Sequence, residues 1–111
     1  MISQIKLVAA AGALSLLLSG CGDEVVERGE TAMRQTLKDP SSAQFQDVKR
    51  CGTGVMVNGF VNAKNSFGAY TGFVEFYSDG QTAATEADQF EAYIKLSGRC
   101  TAEIRRSISR T

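Results

Sequence analysis

Beyond position 22, polar and apolar residues recur with the period of an α-helix. Small or apolar side chains return every three or four positions, as on one buried helix face. They are Val25, Val26, Gly29, Ala32, Met33, Thr36 and Leu37. Asp23 can cap this helix, and Pro40 disfavours a helical Asp39, so the helix is predicted to end near Lys38. Because glycine costs about 1 kcal/mol relative to alanine inside a helix, Gly29 predicts close packing against a sheet.

The middle of the chain favours β-strands. A first strand is predicted over residues 43–50, and two further runs are rich in β-branched and aromatic side chains, which suit a pleated sheet. The second run contains Val55, Val57, Phe60 and Val61, and the third contains Tyr70, Phe73, Val74, Phe76 and Tyr77. Ser78-Asp79-Gly80 is typical of the turn that ends a strand. Asn58-Gly59 is also a hairpin signal, but the arms would be short, so we predict one longer strand with a bulge at Gly59.

Residues 86–97 fit two patterns. One helical face would carry Ala87, Phe90, Tyr93, Ile94 and Ser97, whereas Phe90, Ala92, Ile94 and Leu96 alternate as in a strand. Thr85 as a helix cap and Gly98 just past the end favour the helix. The predicted fold is therefore α+β: an N-terminal amphipathic helix, an antiparallel sheet of three or four strands and a C-terminal helix.

The first twenty residues have the pattern of a processing signal. Lys6 precedes an apolar run from Leu7 to Leu18, which is shorter than the roughly 20 residues that span a bilayer. The ending Leu18-Ser19-Gly20-Cys21 resembles the lipobox of bacterial lipoproteins. That resemblance implies cleavage before Cys21, a thioether-linked lipid on this cysteine and usually a further acyl chain on the new amino terminus. The alternatives are an ordinary signal peptide with a chance cysteine, or an uncleaved anchor.

The predicted organisation is a lipoprotein signal peptide over residues 1–20 and one small domain over residues 21–111, anchored through the lipid on Cys21. Such a protein lies on the periplasmic side of a cell-envelope membrane. Because Gly22 and not aspartate follows the cysteine, resemblance to the enteric sorting pattern favours the outer membrane over the inner one.

Two cysteines, Cys51 and Cys100, remain in the predicted mature chain. Export places them in an oxidising compartment, where a pair of thiols normally forms a disulfide. That bond would stabilise the small domain by about 4 kcal/mol on the chain-entropy model. The alternative is a metal site, but with no histidine in the chain two cysteines need carboxylate help to complete a tetrahedral zinc site. We therefore predict one disulfide and neither a metal nor a cofactor.

Charge is balanced, with 12 basic and 12 acidic residues. Removal of Lys6 with the signal peptide leaves the mature chain one unit acidic, so no global field attracts nucleic acid. The run from Arg99 to Arg110 is the one basic asymmetry. It could contact anionic head groups at about 1 kcal/mol per arginine, but a solvated chain end is the favoured interpretation.

Residues 61–65 (VNAKN) and 68–73 (GAYTGF), with Asp39 to Phe45 upstream, resemble a group of uncharacterised small bacterial exported proteins and lipoproteins. The resemblance covers residues 37–77 and implies no activity. It implies a cysteine directly before the glycine of the second strand, where this chain has Asn58. Cys51 is expected to replace that cysteine in the disulfide.

The loop over residues 62–73 is the candidate binding site. It offers amides, one cation and aromatic rings, which suit a polar ligand, a glycan or a protein interface. The candidate residues are Asn62, Lys64, Asn65, Tyr70 and Phe73. The alternative, which we favour, is a structural β-connection in which asparagine and glycine supply positive φ angles and Phe67 fills the core.

Catalysis is disfavoured, because the commonest general base, histidine, is absent. We predict a non-catalytic binding or accessory lipoprotein that contacts an envelope protein or polymer. One alternative is a structural or mobile-element exclusion lipoprotein. The other is a hydrolase that uses Glu75 and Asp79 as a carboxylate pair, although a strand edge beside a turn is an ordinary place for exposed acids.

Overall fold

The computed structural model describes residues 22–109, so the predicted signal peptide and Cys21 lie outside the described residues. In chain order the elements are α1 (Glu24–Arg34), a 3₁₀ turn (Pro40–Ser42), β1 (Gln44–Arg50), β2 (Val57–Asn62), β3 (Val74–Ser78), β4 (Ala83–Thr85) and α2 (Phe90–Ser109). The four strands form one antiparallel sheet in the order β1-β2-β3-β4. The predicted α+β fold is confirmed.

The two helices pack against two separate hydrophobic clusters. Val57, Val61 and Phe76 are buried with Ala32 and Met33 of α1. A second cluster joins Met56 and Ala84 to Leu96 and Cys100 of α2, with Tyr77 and Tyr93 packed against it. Neighbouring residues of β3 and β4 thus belong to different clusters, as expected when side chains alternate between two covered faces of one sheet.

Helix α1 begins as predicted and ends early. Oδ1 of Asp23 accepts a hydrogen bond from the backbone N–H of Val25 at 2.9 Å, which confirms the cap. The helix ends at Arg34 and not near Lys38, because the backbone N–H groups of Thr36 and Leu37 bond to carbonyls three residues back and begin the turn before Pro40. A Cβ at Gly29 would overlap Cγ2 of Val57, so the predicted close packing on the sheet is confirmed.

The predicted bulge lies in the neighbouring strand. Gln46 pairs with Phe60 and Lys49 with Asn58, so two residues of β1, Asp47 and Val48, face the single residue between Asn58 and Phe60. That residue is Gly59, where a Cβ would lie 2.8 Å from Cα of Val48. The glycine therefore marks the bulge by making room for it, while Asp47 takes the positive φ of 54°.

The C-terminal helix is longer than predicted and starts later. Residues Ala83–Thr85 form β4, which the sequence analysis missed, so Thr85 ends a strand and is not the helix cap. Helix α2 begins at Phe90, where the N–H of Tyr93 already bonds to the carbonyl of Gln89 at 2.8 Å. Gly98 does not end the helix, because Leu96 and Cys100 on either side of it are both anchored in the core.

The predicted disulfide joins Cys51, directly after β1, to Cys100 in α2, with 5.3 Å between their Cα atoms. A second contact lies one turn further along, where Oε1 of Glu103 accepts a hydrogen bond from the N–H of Met56 at 3.2 Å. Residues 99–109 of the predicted basic tail thus belong to the second half of α2, which is fastened to the connection between β1 and β2, and Arg110 lies outside the described residues.

Candidate functional site: the β2–β3 hairpin loop

The candidate loop extends the β2–β3 hairpin beyond the end of the sheet. Lys64 and Tyr70 form an isolated antiparallel bridge, and the N–H of Asn65 bonds to the carbonyl of Ala69 at 2.9 Å. The chain reverses between these residues. We call residues 65–69 the hairpin tip.

The two asparagines are used inside the loop. Oδ1 of Asn65 accepts hydrogen bonds from the N–H groups of Phe67 (2.9 Å) and Ala69 (3.2 Å), which shape the tip. Oδ1 of Asn62 accepts from the N–H of Gly72 at 2.9 Å, and its Nδ2 donates to Oε1 of Gln44 at 3.2 Å. These asparagines shape the loop, as the structural interpretation expects, but they do so through side-chain hydrogen bonds and not through positive φ angles. The positive φ angles in the loop belong to glycines, at Gly68 (79°) and Gly72 (105°).

Lys64 and Tyr70 fasten the loop to the 3₁₀ turn. The N–H of Lys64 donates to Oγ of Ser42 at 2.9 Å, and the hydroxyl of Tyr70 donates to the carbonyl oxygen of the same residue at 3.0 Å. Nζ of Lys64 lies 5.7 Å from the centre of the Tyr70 ring, within the range of a cation–π contact. The upstream segment from Asp39 to Phe45 and the loop segments over residues 61–73, on which the family resemblance rests, therefore contact each other in the folded chain.

Aromatic side chains at this end of the molecule are exposed. Phe67, expected to fill the core, is 94% exposed at the hairpin tip, so that expectation is wrong. The turn built by Asn65 carries Phe67 beyond the last sheet pairs, where no core is within reach. Tyr70 and Phe73 are 43% and 45% exposed. We call Phe67, Tyr70 and Phe73 the aromatic patch. Phe67 is not among the predicted site residues, although its place between Asn65 and Gly68 is typical of a turn.

A cleft of about 530 Å³ lies beside the loop, between the residues that follow α1 and those that follow β4. Lys64 and Asn65 are among its lining residues, together with Lys38 and Asp88, whereas Asn62, Tyr70 and Phe73 are not. The five predicted site residues are thus divided. Two line the cleft, Asn62 closes the base of the loop, and Tyr70 and Phe73 present exposed ring surface.

The carboxylates of the hydrolase alternative each hold a structural position. Oε1 of Glu75 accepts a hydrogen bond from the hydroxyl of Tyr93 at 2.8 Å, and Oε2 accepts from Nδ2 of Asn58 at 3.1 Å. The hydrogen bond from Tyr93 to Glu75, with burial of the Tyr93 ring, raises the pKa of Tyr93 to about 12. Asn58, at the position where the resemblance implies a cysteine, thus helps to join the sheet to α2.

Asp79 organises the turn after β3. Its Oδ1 accepts from the N–H groups of Gln81 (2.9 Å) and Thr82 (2.7 Å), and its Oδ2 lies 2.7 Å from the guanidinium of Arg99. Burial acts to raise the pKa of Asp79, but these backbone and guanidinium contacts outweigh it and hold the pKa below its usual value. Neither carboxylate is the exposed acid that the sequence suggested, since Glu75 and Asp79 are both half-buried.

The described chain begins at the opposite end of the sheet from the loop. Oδ2 of Asp23 lies 3.3 Å from Nε of Arg50, the last residue of β1, and the disulfide follows at Cys51. Gln44, at the other end of β1, pairs with Asn62 at the base of the loop. Since β1 has seven residues and a strand rises about 3.3 Å per residue, roughly 20 Å separates the two ends.

No protein-family model, curated protein or solved structure matches this chain. The class that the fold defines is an α+β domain with a four-stranded antiparallel meander between two helices. Within residues 22–109 no group of three or more cysteine and carboxylate side chains is placed to hold a metal ion. Nor is any helix in this part of the chain long and apolar enough to cross a membrane. The family resemblance stays a prediction.

Proposed function

We propose that this chain is a lipid-anchored envelope protein that binds a protein or polymer partner through the aromatic patch of the β2–β3 hairpin, without catalysis. The observation that carries the proposal is Phe67, which is 94% exposed at the tip of a loop whose polar groups are bonded internally. Exposure of an aromatic ring to water is unfavourable in free energy, and a partner that covers the ring removes this cost. Aromatic residues are also enriched among the side chains that dominate binding energy.

Hydrogen bonds fix the conformation of the loop that carries these rings. Six hydrogen bonds to or from Asn62, Lys64, Asn65 and Tyr70 fix its path over the 3₁₀ turn and β1. A preorganised loop loses little conformational entropy on binding, so its exposed surface yields more affinity than a flexible loop would. The role we assign to the asparagines is therefore to position the patch, while the aromatic rings contact the partner.

The position of the anchor is compatible with such a contact. A lipid on Cys21 would attach two residues before Asp23, at the sheet end that carries Arg50 and the disulfide. The hairpin tip lies at the other end, so membrane attachment leaves it accessible. Lipidation itself is supported by the apolar run and the Leu18-Ser19-Gly20-Cys21 sequence. Two or three acyl chains hold a protein far more firmly than one.

Site-specific photocrosslinking in intact cells tests the binding site. The full-length chain carries benzoylphenylalanine at position 67, and a matched control carries it at Gln81, an exposed residue in the turn after β3. We expect a discrete crosslinked partner from position 67 that is absent from position 81, and its loss when Phe73→Ser is added. Equal patterns from both positions, or none from position 67, would rule out the aromatic patch as the contact surface.

Lipidation is tested separately with Cys21→Ser. We expect the unchanged chain to incorporate labelled fatty acid and to fractionate with membranes, and the variant to do neither. Intact-mass spectrometry that finds Met1 on the membrane-bound product, or Cys21 without acyl groups, would contradict the anchor and leave the binding test unaffected.

A further inference from the structure

Helix α2 carries a second apolar stripe in addition to the face that packs on the sheet. The stripe repeats at alternating intervals of four and three residues, the a and d spacing of a helix that packs against another helix. Its members are Phe90, Ile94, Ser97, Thr101, Ile104 and Ile108. At 100° per residue the stripe lies about 100° around the helix from Leu96 and Cys100, which face the sheet.

Large apolar side chains of this stripe are exposed to solvent. Phe90 is 57% exposed, Ile94 51%, Ile104 41% and Ile108 66%. Single exposed apolar residues are ordinary, but four at helical spacing along one line form a surface of the kind that marks an interaction site. The stripe, defined by these residues and the two hydroxyl residues between them, is called the α2 stripe.

The polar groups at the centre of the α2 stripe are already satisfied. Oγ of Ser97 donates to the carbonyl of Ile94 at 2.9 Å, and Oγ1 of Thr101 donates to the carbonyl of Ser97 at 3.1 Å. Because both hydroxyls bond back to their own helix, covering them with another helix leaves no donor without an acceptor.

Gly98 borders the stripe at its midpoint. Apart from its two chain neighbours and its own helix backbone, no heavy atom of the described residues lies within 4 Å of the position where its Cβ would be. A glycine inside a helix costs about 1 kcal/mol relative to alanine, and nothing in the described fold requires one here. A second helix that approaches closely at this point would require it, since small residues at an interface let two helix backbones come together.

The stripe is complementary to itself when it is reversed. In an antiparallel pair with Ser97 opposite Thr101 of the partner subunit, Ile94 meets Ile104 of the partner subunit, and Phe90 meets Ile108 of the partner subunit. Large side chains then fill both ends and small ones the centre. On the flank that carries Gly98, Glu91 comes to lie beside Arg105 of the partner subunit, twice by symmetry. A parallel pair brings no opposite charges together on this flank.

We propose that the α2 stripe is the contact surface for a second copy of this chain, paired antiparallel. The interface is isologous, as expected for a two-fold dimer. A 20-residue helix is about 30 Å long, and six side chains cover less than the roughly 800 Å² per partner of a standard stable interface. The dimer is therefore weak in dilute solution and favoured where copies are concentrated. The pairing stands independently of the aromatic patch and of the lipid anchor.

Photocrosslinking maps both the contact and its direction. The full-length chain, expressed in intact cells, carries benzoylphenylalanine at position 90, with Lys95, on another side of α2, as the control position. We expect a homodimer from position 90 whose crosslinked peptide, identified by mass spectrometry, contains residues 104–109 of the other copy. A crosslink to residues 88–94 of the other copy, to lipid, to a different protein, or equally from position 95 would overturn the proposal.

Exchange of the charges at Glu91 and Arg105 supplies a second test of the dimer. Recovery of the dimer in the double variant could not be explained by a loss of folding. Glu91→Arg and Arg105→Glu each place like charges opposite each other at both symmetric flanks, and we expect each to lower dimer yield about fivefold, on the order expected for two exposed charge pairs. The double variant restores the opposite pairing and should recover the dimer. Failure of the double variant to recover it, while circular dichroism shows all three variants folded, would contradict the antiparallel arrangement.

Discussion

The two helices use glycine in different ways, and the difference indicates where each helix has its neighbours. In α1, Gly29 lies against Val57, so the missing Cβ is filled by the sheet of the same chain. In α2, Gly98 faces empty space among the described residues. Both glycines carry the same cost in helix propensity. In α1 this cost is offset by packing within the domain, and in α2 we assign the compensation to a second copy.

The helices also differ in how they are fastened. Helix α1 is held by its Asp23 cap and by a buried face that includes Ala32 and Met33. Helix α2 buries fewer residues along a greater length, and polar and covalent bonds hold it. They are the disulfide at Cys100, the Glu103–Met56 and Tyr93–Glu75 hydrogen bonds, and the Arg99–Asp79 ion pair. Breaking one fastening at a time therefore separates the contributions of the two helices.

Loss of the disulfide has the largest expected effect. The bond encloses a sequence separation of 49 residues, for which the chain-entropy model gives about 4 kcal/mol. We expect Cys51→Ser with Cys100→Ser to lower the free energy of unfolding by about this amount, measured by urea denaturation. Helix α1 should respond less than α2 in hydrogen exchange. A loss below about 1 kcal/mol would show that noncovalent contacts hold α2 on their own.

Gly29→Ala is expected to destabilise the domain. The added methyl group overlaps Val57, and overpacking a core costs about 1–3 kcal/mol, against which the better helix propensity of alanine returns up to about 1 kcal/mol. The free energy of unfolding should therefore fall by about 1–2 kcal/mol. Adding Val57→Ala removes the methyl groups that the new Cβ overlaps. The double variant should therefore lose less stability than the sum of the two single losses. Simple additivity of the two losses would contradict the contact.

Gly98→Ala is the matched change in the other helix, and its expected effect has the opposite sign. At protein concentrations where the chain is monomeric, a Cβ at this position meets no neighbour, so stability should rise by up to about 1 kcal/mol. Dimer crosslinking from position 90 should fall, because the added methyl group separates the two helix backbones. Lower stability in the monomer would break the comparison between the glycines, and unchanged crosslinking would remove Gly98 from the proposed interface.

Sequence patterns predicted the parts of the fold that depend on local chemistry. The cap at Asp23, the close packing at Gly29 and the turn at Ser78-Asp79-Gly80 all involve residues whose roles follow from their own backbone and side-chain properties. The pairing of β4 with β3 was missed, because three residues, Ala83–Thr85, are too few to show a period. The continuation of α2 through Gly98 was missed because tertiary contacts on either side of it override its low helix propensity.

For the candidate loop, the sequence predicted a structured connection but not which groups its side chains contact. Asn62 and Asn65 were candidates for ligand contact, yet their amides bond to Gly72, Gln44, Phe67 and Ala69. Which groups an asparagine bonds depends on the path of the loop, which composition does not encode. The hydrophobicity of Phe67 predicts a core position, but hydrophobicity alone does not show whether a sheet lies within reach.

The smallest expected effect concerns the Tyr93–Glu75 fastening of α2 and appears only in alkali. The hydrogen bond to Glu75, with burial of the ring, raises the pKa of Tyr93 to about 12, above its ordinary value of 10.0. Since the folded-state pKa is the higher one, the contribution to stability is complete below pH 10 and is lost as the pH rises through about 12.

Tyrosinate absorbance after a rapid pH jump should show one tyrosine that ionises near pH 12, absent in Tyr93→Phe. Glu75→Gln should shift that step towards lower pH, because it removes the carboxylate that opposes ionisation. Burial and Glu75 also raise the pKa of Tyr77, so the variant at position 93 is needed to assign the step. If Tyr93→Phe leaves the highest step in place, Glu75 does not hold α2 through this hydroxyl. The disulfide, the Glu103 hydrogen bond and the Arg99–Asp79 ion pair then remain its polar and covalent fastenings.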